Sequence, residues 1–489
     1  MRRILLRAGM SPLVNHNPTR VVMRNMIGNN IGNMLFQSSV SRTLLCEDTV
    51  IDTVNTVRKH SSEHIRQINE NYDCLVLPFA NAFRVNFIYE LEAVTKLVEQ
   101  LKIPCIIVGV GAQARLNMDV DSPELDAAVM KLMKAVLKKS DKVGLRGEFT
   151  ADYLKKLGFQ AERDFTVIGC PSMYMFGKEL PAMEVKELTK KSNVSMNSKI
   201  SLPQKFHDFM YRSSLELPNY NYVPQVIEEI GQMFMGKRYP AGFINNIPEH
   251  FPVNFADPVY QSGKGITFTN MPSWLEYLRN KDFSFGSRIH GNIASILAGT
   301  PCFIVVSDKR IMELVEFHHI PHLLMKDLKK NTSIFDLYEK ADFAAIRTDH
   351  EKHFMHYLDF LRENGLKTIY DENGNPPENV PFDQKISEVN FAPPLKAFSA
   401  LTPEEQLKRL RRIYKEDRKR DRYYKKMSTG VLASLKDWKR REIEGNPSKN
   451  YEKYYPFIRE YKAALVVEQI RNTEDDTMGE KDDIIEDDV

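Results

Sequence analysis

The stretch Phe283-Ser-Phe-Gly-Ser-Arg-Ile-His-Gly-Asn-Ile-Ala-Ser-Ile-Leu-Ala-Gly-Thr-Pro-Cys-Phe-Ile-Val-Val306 constrains the fold more than any other part of the chain. It reads as strand, tight turn, helix, turn, strand. Phe283 to Phe285 is a short apolar strand, and Ser287 is placed to cap the helix that follows. Gly299-Thr-Pro301 stops that helix, and Cys302 to Val306 is a continuous apolar run of the buried parallel-strand type. Arg288 and His290 then lie in the first helical turn at the carboxyl end of a strand, where open parallel sheets bind ligands. A helix start, a guanidinium and an imidazole at one point suit an anionic substrate that also needs proton transfer. The ordinary alternative is a capped helix start whose Arg288 pairs with a surface carboxylate.

Length sets the next bound. At 489 residues the chain exceeds one ordinary core, so two domains and an appendage are expected. A hydrophobic content of 42% and a charged content of 27% describe a soluble globular protein. Net charge +3 does not decide for or against nucleic acid, and no nucleic-acid partner is expected. The five cysteines, Cys46, Cys74, Cys105, Cys170 and Cys302, form no CxxC pair; Cys74, Cys105 and Cys302 lie in apolar strands and read as core residues in a reducing compartment. No run of 18 apolar residues marks a membrane span, and the first ten residues are too weakly apolar for a secretory signal. A cytoplasmic location with peripheral membrane contact is the expectation.

Strands and helices alternate through the chain. Strands are expected at 21–24, 72–77, 104–108, 142–145 and 165–168, with helices from about Met34, over 86–102, 122–139 and 148–157. A linker over about 181–195 leads to a second series: strands at 200–202, 220–223 and 265–269, helices after Lys205 and Pro224 and over 272–279, and then the Phe283–Val306 unit and a helix over 308–317. Such alternation builds parallel, doubly wound sheets. The expected organisation is an N-terminal Rossmann-like domain (1–185), a second one (195–330), a crossing helix and Pro-rich strap (345–396), and a basic extension with an acidic tail (397–489). Residues 401–450 carry 16 Lys+Arg against 8 Asp+Glu, whereas 473–489 carry one Lys against 9 Asp+Glu. The basic stretch is expected to touch an anionic membrane or an acidic partner, or to face the acidic tail as a solvated helix.

Together these pieces resemble the polysaccharide pyruvyl transferase family. The matching residues are Asn30-Ile-Gly-Asn33, Val108-Gly-Val-Gly-Ala-Gln113, Leu145-Arg-Gly-Glu148, Gly169-Cys-Pro-Ser172, Tyr222-Val-Pro-Gln225 and Gly286-Ser-Arg-Ile-His-Gly291, with Asp308, Arg310 and Glu313 following. The resemblance spans roughly residues 24–325. It implies an α/β fold like GT-B glycosyltransferases, with two Rossmann-like domains facing a cleft. It also implies transfer of an enolpyruvyl unit from phosphoenolpyruvate to a sugar of a polysaccharide, glycan or lipid-linked precursor. Two places depart from the family pattern. Asn33 stands where members often carry an acid, and Asp73 to Arg84 lacks their glycine-rich turn.

On this resemblance His290 and Arg288 are the catalytic candidates. Arg146, Ser287, Asn292, Gly32, Asn33, Gly111, Gln113 and Glu313 are the substrate-binding ones. Phosphoenolpyruvate carries a phosphate and a carboxylate, which guanidinium groups such as Arg288 and Arg146 bind bidentately. Protonation of the enol methylene makes C2 electrophilic, and His290 is the acid/base candidate because an imidazole titrates near neutrality. Arg146 could instead pair with Glu148 or Asp152, and Cys170, with no basic partner in sight, reads as core. No metal-ligand cluster appears; His318, His319 and His322 read as structural or surface residues. No cofactor is implied beyond the donor, and a homo-oligomer is compatible with the sequence. Two other functions share the architecture. A nucleotide-sugar glycosyltransferase would use Glu313 to grip a ribose. A non-catalytic binding protein would place function in the charged C-terminal segments.

Overall fold

A computed structural model of the chain describes residues 1–56, 60–237, 247–254 and 256–419. Residues 1–410 form one compact unit, and a second begins at Arg411.

Two parallel sheets are wound on one plan. The first contains β1 (Arg2–Arg7), β2 (Thr49–Val54), β3 (Cys74–Pro78) and β4 (Cys105–Val108), in the order β2-β1-β3-β4. The pair β5 (Val143–Leu145) and β6 (Phe165–Val167) extends it, joined through a bridge between Val110 and Leu145. The second sheet contains β7 (Val194–Asn197), β8 (Tyr220–Tyr222), β10 (Phe283–Gly286), β11 (Cys302–Val306) and β12 (His322–Leu324), in the order β12-β11-β10-β7-β8. A short strand β9 (Ile266–Thr267) lies beyond β8, which it meets through a Tyr222–Gly265 bridge. The central strands are apolar runs buried throughout, as a sheet covered on both faces requires. In each sheet the first strand is followed by a neighbour on one side, and the chain then crosses to the other. The carboxyl ends of β1 and β3, and of β7 and β10, therefore flank a crevice.

The α/β class and the two doubly wound sheets are as the sequence implied. Several elements differ. β1, β2, β12 and the helix Ser62–Asn71 were not anticipated. Residues 21–23 belong to a helix, Pro18–Met23, because Pro18 occupies its first turn and Asn17 Oδ1 accepts from Arg20 N at 3.3 Å. The strand expected at 200–202 is a turn, and its place in the sheet is taken by β7 in the expected linker.

Main-chain contacts join the two sheets' loops. Asn30 bridges Val226, with Ile31 N donating to Gln225 O and Ile227 N to Asn29 O, both at 3.0 Å. Arg115 bridges Asp308, and Lys309 N donates to Ala114 O at 3.1 Å.

The Pro-rich strap is more ordered than its composition suggested. It carries the helix Pro381–Ser387 and a strand β13 (Leu395–Lys396), antiparallel to β9. Ala397 is fully buried among Ile200, Tyr222, Met233 and Tyr260. The capping box forms: Thr402 Oγ1 accepts from Glu405 N, and Glu405 Oε2 accepts from Thr402 N. Most of the basic stretch and all of the acidic tail lie outside the described residues. Among the described residues no helix is long and apolar enough to cross a membrane.

Candidate functional site

The turn after β10 is built by hydrogen bonds from β7. Gly286 takes φ 147°, and a Cβ there would sit 1.9 Å from Asn197 O. Asn197 Oδ1 accepts from Arg288 N at 2.8 Å. Asn292 is fully buried and fastens the unit: it accepts from Ser284 Oγ and donates to Arg288 O, both at 3.0 Å. Ser287 does not cap the helix. The helix Ile289–Leu297 has Arg288 at its N-cap position, and Ser287 Oγ is buried with no hydrogen-bond partner among the described residues.

Arg288 turns away from the helix axis. Its Nε donates to Ser198 O and its Nη2 to Glu229 Oε1, each at 2.7 Å. Its carboxylate partner is therefore a buried one rather than a surface one. Burial raises the Glu229 carboxyl above its usual range, against the pull of Arg288.

His290 points the other way, into the interface between the two sheets. Its Nε2 lies 3.4 Å from Arg146 Nη2 and 3.9 Å from Cys170 Sγ. A guanidinium has no acceptor, so this contact requires Nε2 to accept and places the ring proton on Nδ1. Burial, then the charges of Arg146 and Arg310, push the imidazole well below its ordinary value. His290 is thus neutral at physiological pH. Gly32 makes room for it, since a Cβ at that position would lie 2.6 Å from His290 Cβ.

Arg146 is fully buried. Its Nε donates to Gly109 O at 2.9 Å, its Cζ stands 5.2 Å from the centre of the Phe36 ring, and Nη1 has no partner among the described residues. It pairs with neither Glu148 nor Asp152; Asp152 pairs with Lys155 at 3.0 Å. Gly111 separates Arg146 from Glu313, because a Cβ there would meet Arg146 Cδ and Glu313 Oε1 at 3.1 Å each. Glu313 is 4% exposed and accepts from Thr150 N and Thr150 Oγ1. Burial pushes its carboxyl up to about 7, although the Thr150 bonds, Arg146 and Arg310 act in the opposite sense.

The remaining candidates disperse. Asn33 Nδ2 donates to Ile27 O and Gly28 O and closes its own loop. Gln113 Oε1 accepts from Asn81 Nδ2 at 2.7 Å. His318 accepts from Cys170 N, His319 pairs with Asp349, and His322 Nδ1 lies 2.8 Å from Ile320 O. Cys170 has the basic neighbour that sequence reading did not find, His290.

A cavity of about 1310 Å³ opens at the carboxyl ends of both sheets. Its charged walls are Arg84, Arg115, Lys199, Lys205, Asp308 and Lys326, and Gln113 also faces it. His290, Arg146 and Arg288 do not line it. Arg310 links the two regions electrostatically: it depresses His290 and Arg146 on one side and Arg84 and Lys199 on the other. Lys199 was not singled out from sequence. It follows β7, has no ion pair among the described residues, and is lowered to about 8 by burial and then by Arg310. Asp308 is held below its usual range: burial raises it, but Arg310 and Lys199 together outweigh burial.

Three solved structures resemble the chain at low identity: UDP-GlcNAc 2-epimerase of Methanocaldococcus jannaschii (9% identity, TM-score 0.41, covering 74% of this chain and 99% of that one), MnaA of S. aureus (13%, 0.33, 79% and 95%) and MurG of Acinetobacter baumannii (9%, 0.32, 74% and 100%). Likenesses this distant carry no argument about activity. No curated protein matches. The model of the polysaccharide pyruvyl transferase family matches residues 30–309, more than half of the chain and the whole span from the first loop to Asp308. The chain belongs to the polysaccharide pyruvyl transferase family and is a transferase of that kind.

Proposed function

We propose that the protein transfers the enolpyruvyl unit of phosphoenolpyruvate to two hydroxyls of one acceptor sugar, giving a pyruvate ketal and inorganic phosphate. The observation that carries this reading is the neutral, buried His290 against Arg146, beside a cavity lined with cations. A proton added to the enol methylene makes C2 electrophilic. The first sugar oxygen bonds to C2 and gives up its proton. The second oxygen then bonds to C2 as the C2–O bond to phosphate breaks, and its proton leaves with the inorganic phosphate.

The side chains divide the work. His290, depressed well below neutrality, accepts a hydroxyl proton rather than supplying one, and does so when the sugar hydroxyl replaces Arg146 at Nε2. The methylene needs a separate acid. Lys199, at about 8, is an ammonium at neutral pH and lines the cavity, whereas Glu313 is sealed against Thr150. We therefore assign the acid to Lys199. The donor's phosphate and carboxylate are met by the cavity-lining guanidinium groups of Arg84 and Arg115, while buried Arg146 holds His290 in place. Arg288 holds the turn through Glu229 and acts by position. This reading needs no cofactor beyond the donor. Burial of Glu313 argues against its gripping a ribose, which the glycosyltransferase alternative requires.

The test is incubation with phosphoenolpyruvate and a panel of galactosides, mannosides and N-acetylhexosaminides. Phosphate release together with a pyruvate-ketal product by mass is expected. Thermal stabilisation by nucleoside diphosphates and none by phosphoenolpyruvate would favour the glycosyltransferase reading instead.

A further inference from the structure

Lys205 lines two cavities. One is the large cavity already described; the other, of about 470 Å³, is walled by Asp208, Tyr211, Arg212, His250 and Lys330. Arg84, Arg115, Lys199 and Lys326 belong to the first, Arg212 and Lys330 to the second, and Lys205 to both. The carboxylates on these walls are Asp308 and Asp208. Asp308 is occupied by Arg310 and by the N–H of Ile311, and Asp208 accepts from Gln204 at 2.7 Å. The excess of cations is local, because the whole chain carries only +3.

Arg212 is the most telling member. Among the described residues its buried Nη2 has no hydrogen-bond partner and the side chain makes no ion pair. Among the same residues Lys205 Nζ is held by two long bonds, to Lys326 O and Leu328 O at 3.4 Å. Beside them Tyr211 and His250 stack in parallel, 3.9 Å between centres and 5° between planes. A guanidinium and two ammonium groups against one carboxylate, Asp208, leave the wall of this small space net positive, which suits a phosphate or diphosphate. The donor already has its own cations in Arg84 and Arg115, so this second group fits an anion on the other substrate.

We propose that the smaller cavity is an acceptor subsite that holds a phosphate or diphosphate attached to the acceptor sugar, with Arg212, Lys330 and Lys205 as its cations. The proposal rests on the pyruvyl-transfer reading for its name, acceptor subsite, but the anion site itself does not depend on it. A diphosphate could come from a lipid-linked sugar or from a nucleotide sugar, and the chemistry of capture is shared.

The test uses the full chain and the double variant Arg212→Ala/Lys330→Ala, with Lys330→Ala alone as a second variant that removes only a surface ammonium. Inorganic pyrophosphate is titrated calorimetrically, and phosphoenolpyruvate is titrated separately. Pyrophosphate affinity should fall roughly tenfold for each lost charge-assisted contact, while phosphoenolpyruvate affinity stays unchanged. In turnover, KM for a prenyl-diphosphate galactose or a nucleoside-diphosphate galactose should rise, whichever is the natural form, and KM for methyl galactoside should not. Equal pyrophosphate affinity in the full chain and both variants, or no pyrophosphate binding at all, would overturn the subsite. Pyrophosphate binding that depends on Arg212 and Lys330, with no phosphoenolpyruvate turnover on any acceptor, would uphold the anion site and overturn the pyruvyl-transfer reading.

Discussion

Arg288 Nη2 stands 2.7 Å from Glu229 Oε1, and the Glu229 carboxylate is completely buried. Removing one member of a buried pair strands the other charge away from water, which costs about 3–5 kcal/mol. Glu229→Gln should therefore destabilise the protein by that order in denaturant melts, and should lower turnover by loosening the turn that presents His290. Arg288→Met, which removes the charge on the other side, leaves Glu229 free to take up a proton and should cost less. Equal stability of Glu229→Gln and the parent would show that the pair holds nothing.

Acid should unfold the protein steeply. His290 and His318 are pushed well below the ordinary imidazole value, and His207 and His350 to about 4, in each case chiefly by burial. A depressed imidazole stabilises the fold above about 6.5, and that stability is lost as pH falls through the window between the unfolded and folded values. Glu313 and Glu229 act oppositely, since their carboxyls are raised and stability is lost as pH rises. His16, His60 and His353 are lowered too, so depressed imidazoles outnumber the raised carboxyls of Glu313, Glu229 and Asp257, and stability falls as pH drops below about 6.5. Melting temperatures measured from pH 7.5 to 4.5 should fall accordingly, and Glu313→Gln should steepen the fall.

His290→Ala should fold and lose activity. A proton-transfer group contributes about 10²–10⁴ in rate. Turnover within a few-fold of the parent on the true acceptor would remove His290 from the chemistry.

Lys199→Arg keeps the charge but not a proton that can leave near pH 8. Donor binding should survive while kcat drops by roughly 10²–10⁴. The basic limb of the parent's pH profile should disappear in whatever activity is left. A purely electrostatic role would instead leave kcat nearly intact.

Truncation separates the C-terminal segments. Cutting after Lys396 removes buried Ala397 and the contact of Arg409 with Phe234, whose ring centre lies 4.3 Å from the guanidinium. That protein should melt earlier than one cut after Leu410, where the compact unit ends. Coincident melts would mean that residues 397–410 add no stability.

Much of this was legible in the sequence, and the exceptions have physical causes. The Phe283–Val306 unit was readable because its strands are buried on both faces and a helix with a clear stop lies between them. β1 hides because arginines flank Ile4 to Leu6, and β2 because Asp52 interrupts it; in the fold Asp52 pairs with Arg3 across those two strands at 2.9 Å. Val21 and Val22 look like strand residues, yet Asn17-Pro-Thr19 starts a helix there. Arg146 and His290 could be named from their strand ends, but their contact joins residues 144 positions apart. Nothing near Lys199 in the sequence announces its burial, which sets its character first, or the charges of Arg310 and Asp308 that act after it. The partner of Arg288 was equally out of reach, since Glu229 lies on a helix whose docking depends on the whole second sheet.

The exchanged main-chain contacts, 29–31 with 225–227 and 114–115 with 308–309, have a consequence for how the enzyme comes into being. Each sheet's loops place some of their main-chain hydrogen bonds on the other half. Neither half, made alone, would hold both His290 and Arg146 or satisfy those loop groups. Fragments ending and beginning near residues 185–193 should be poorly ordered apart and should regain structure when mixed, so assembly of the fold and creation of the catalytic centre become a single cooperative event.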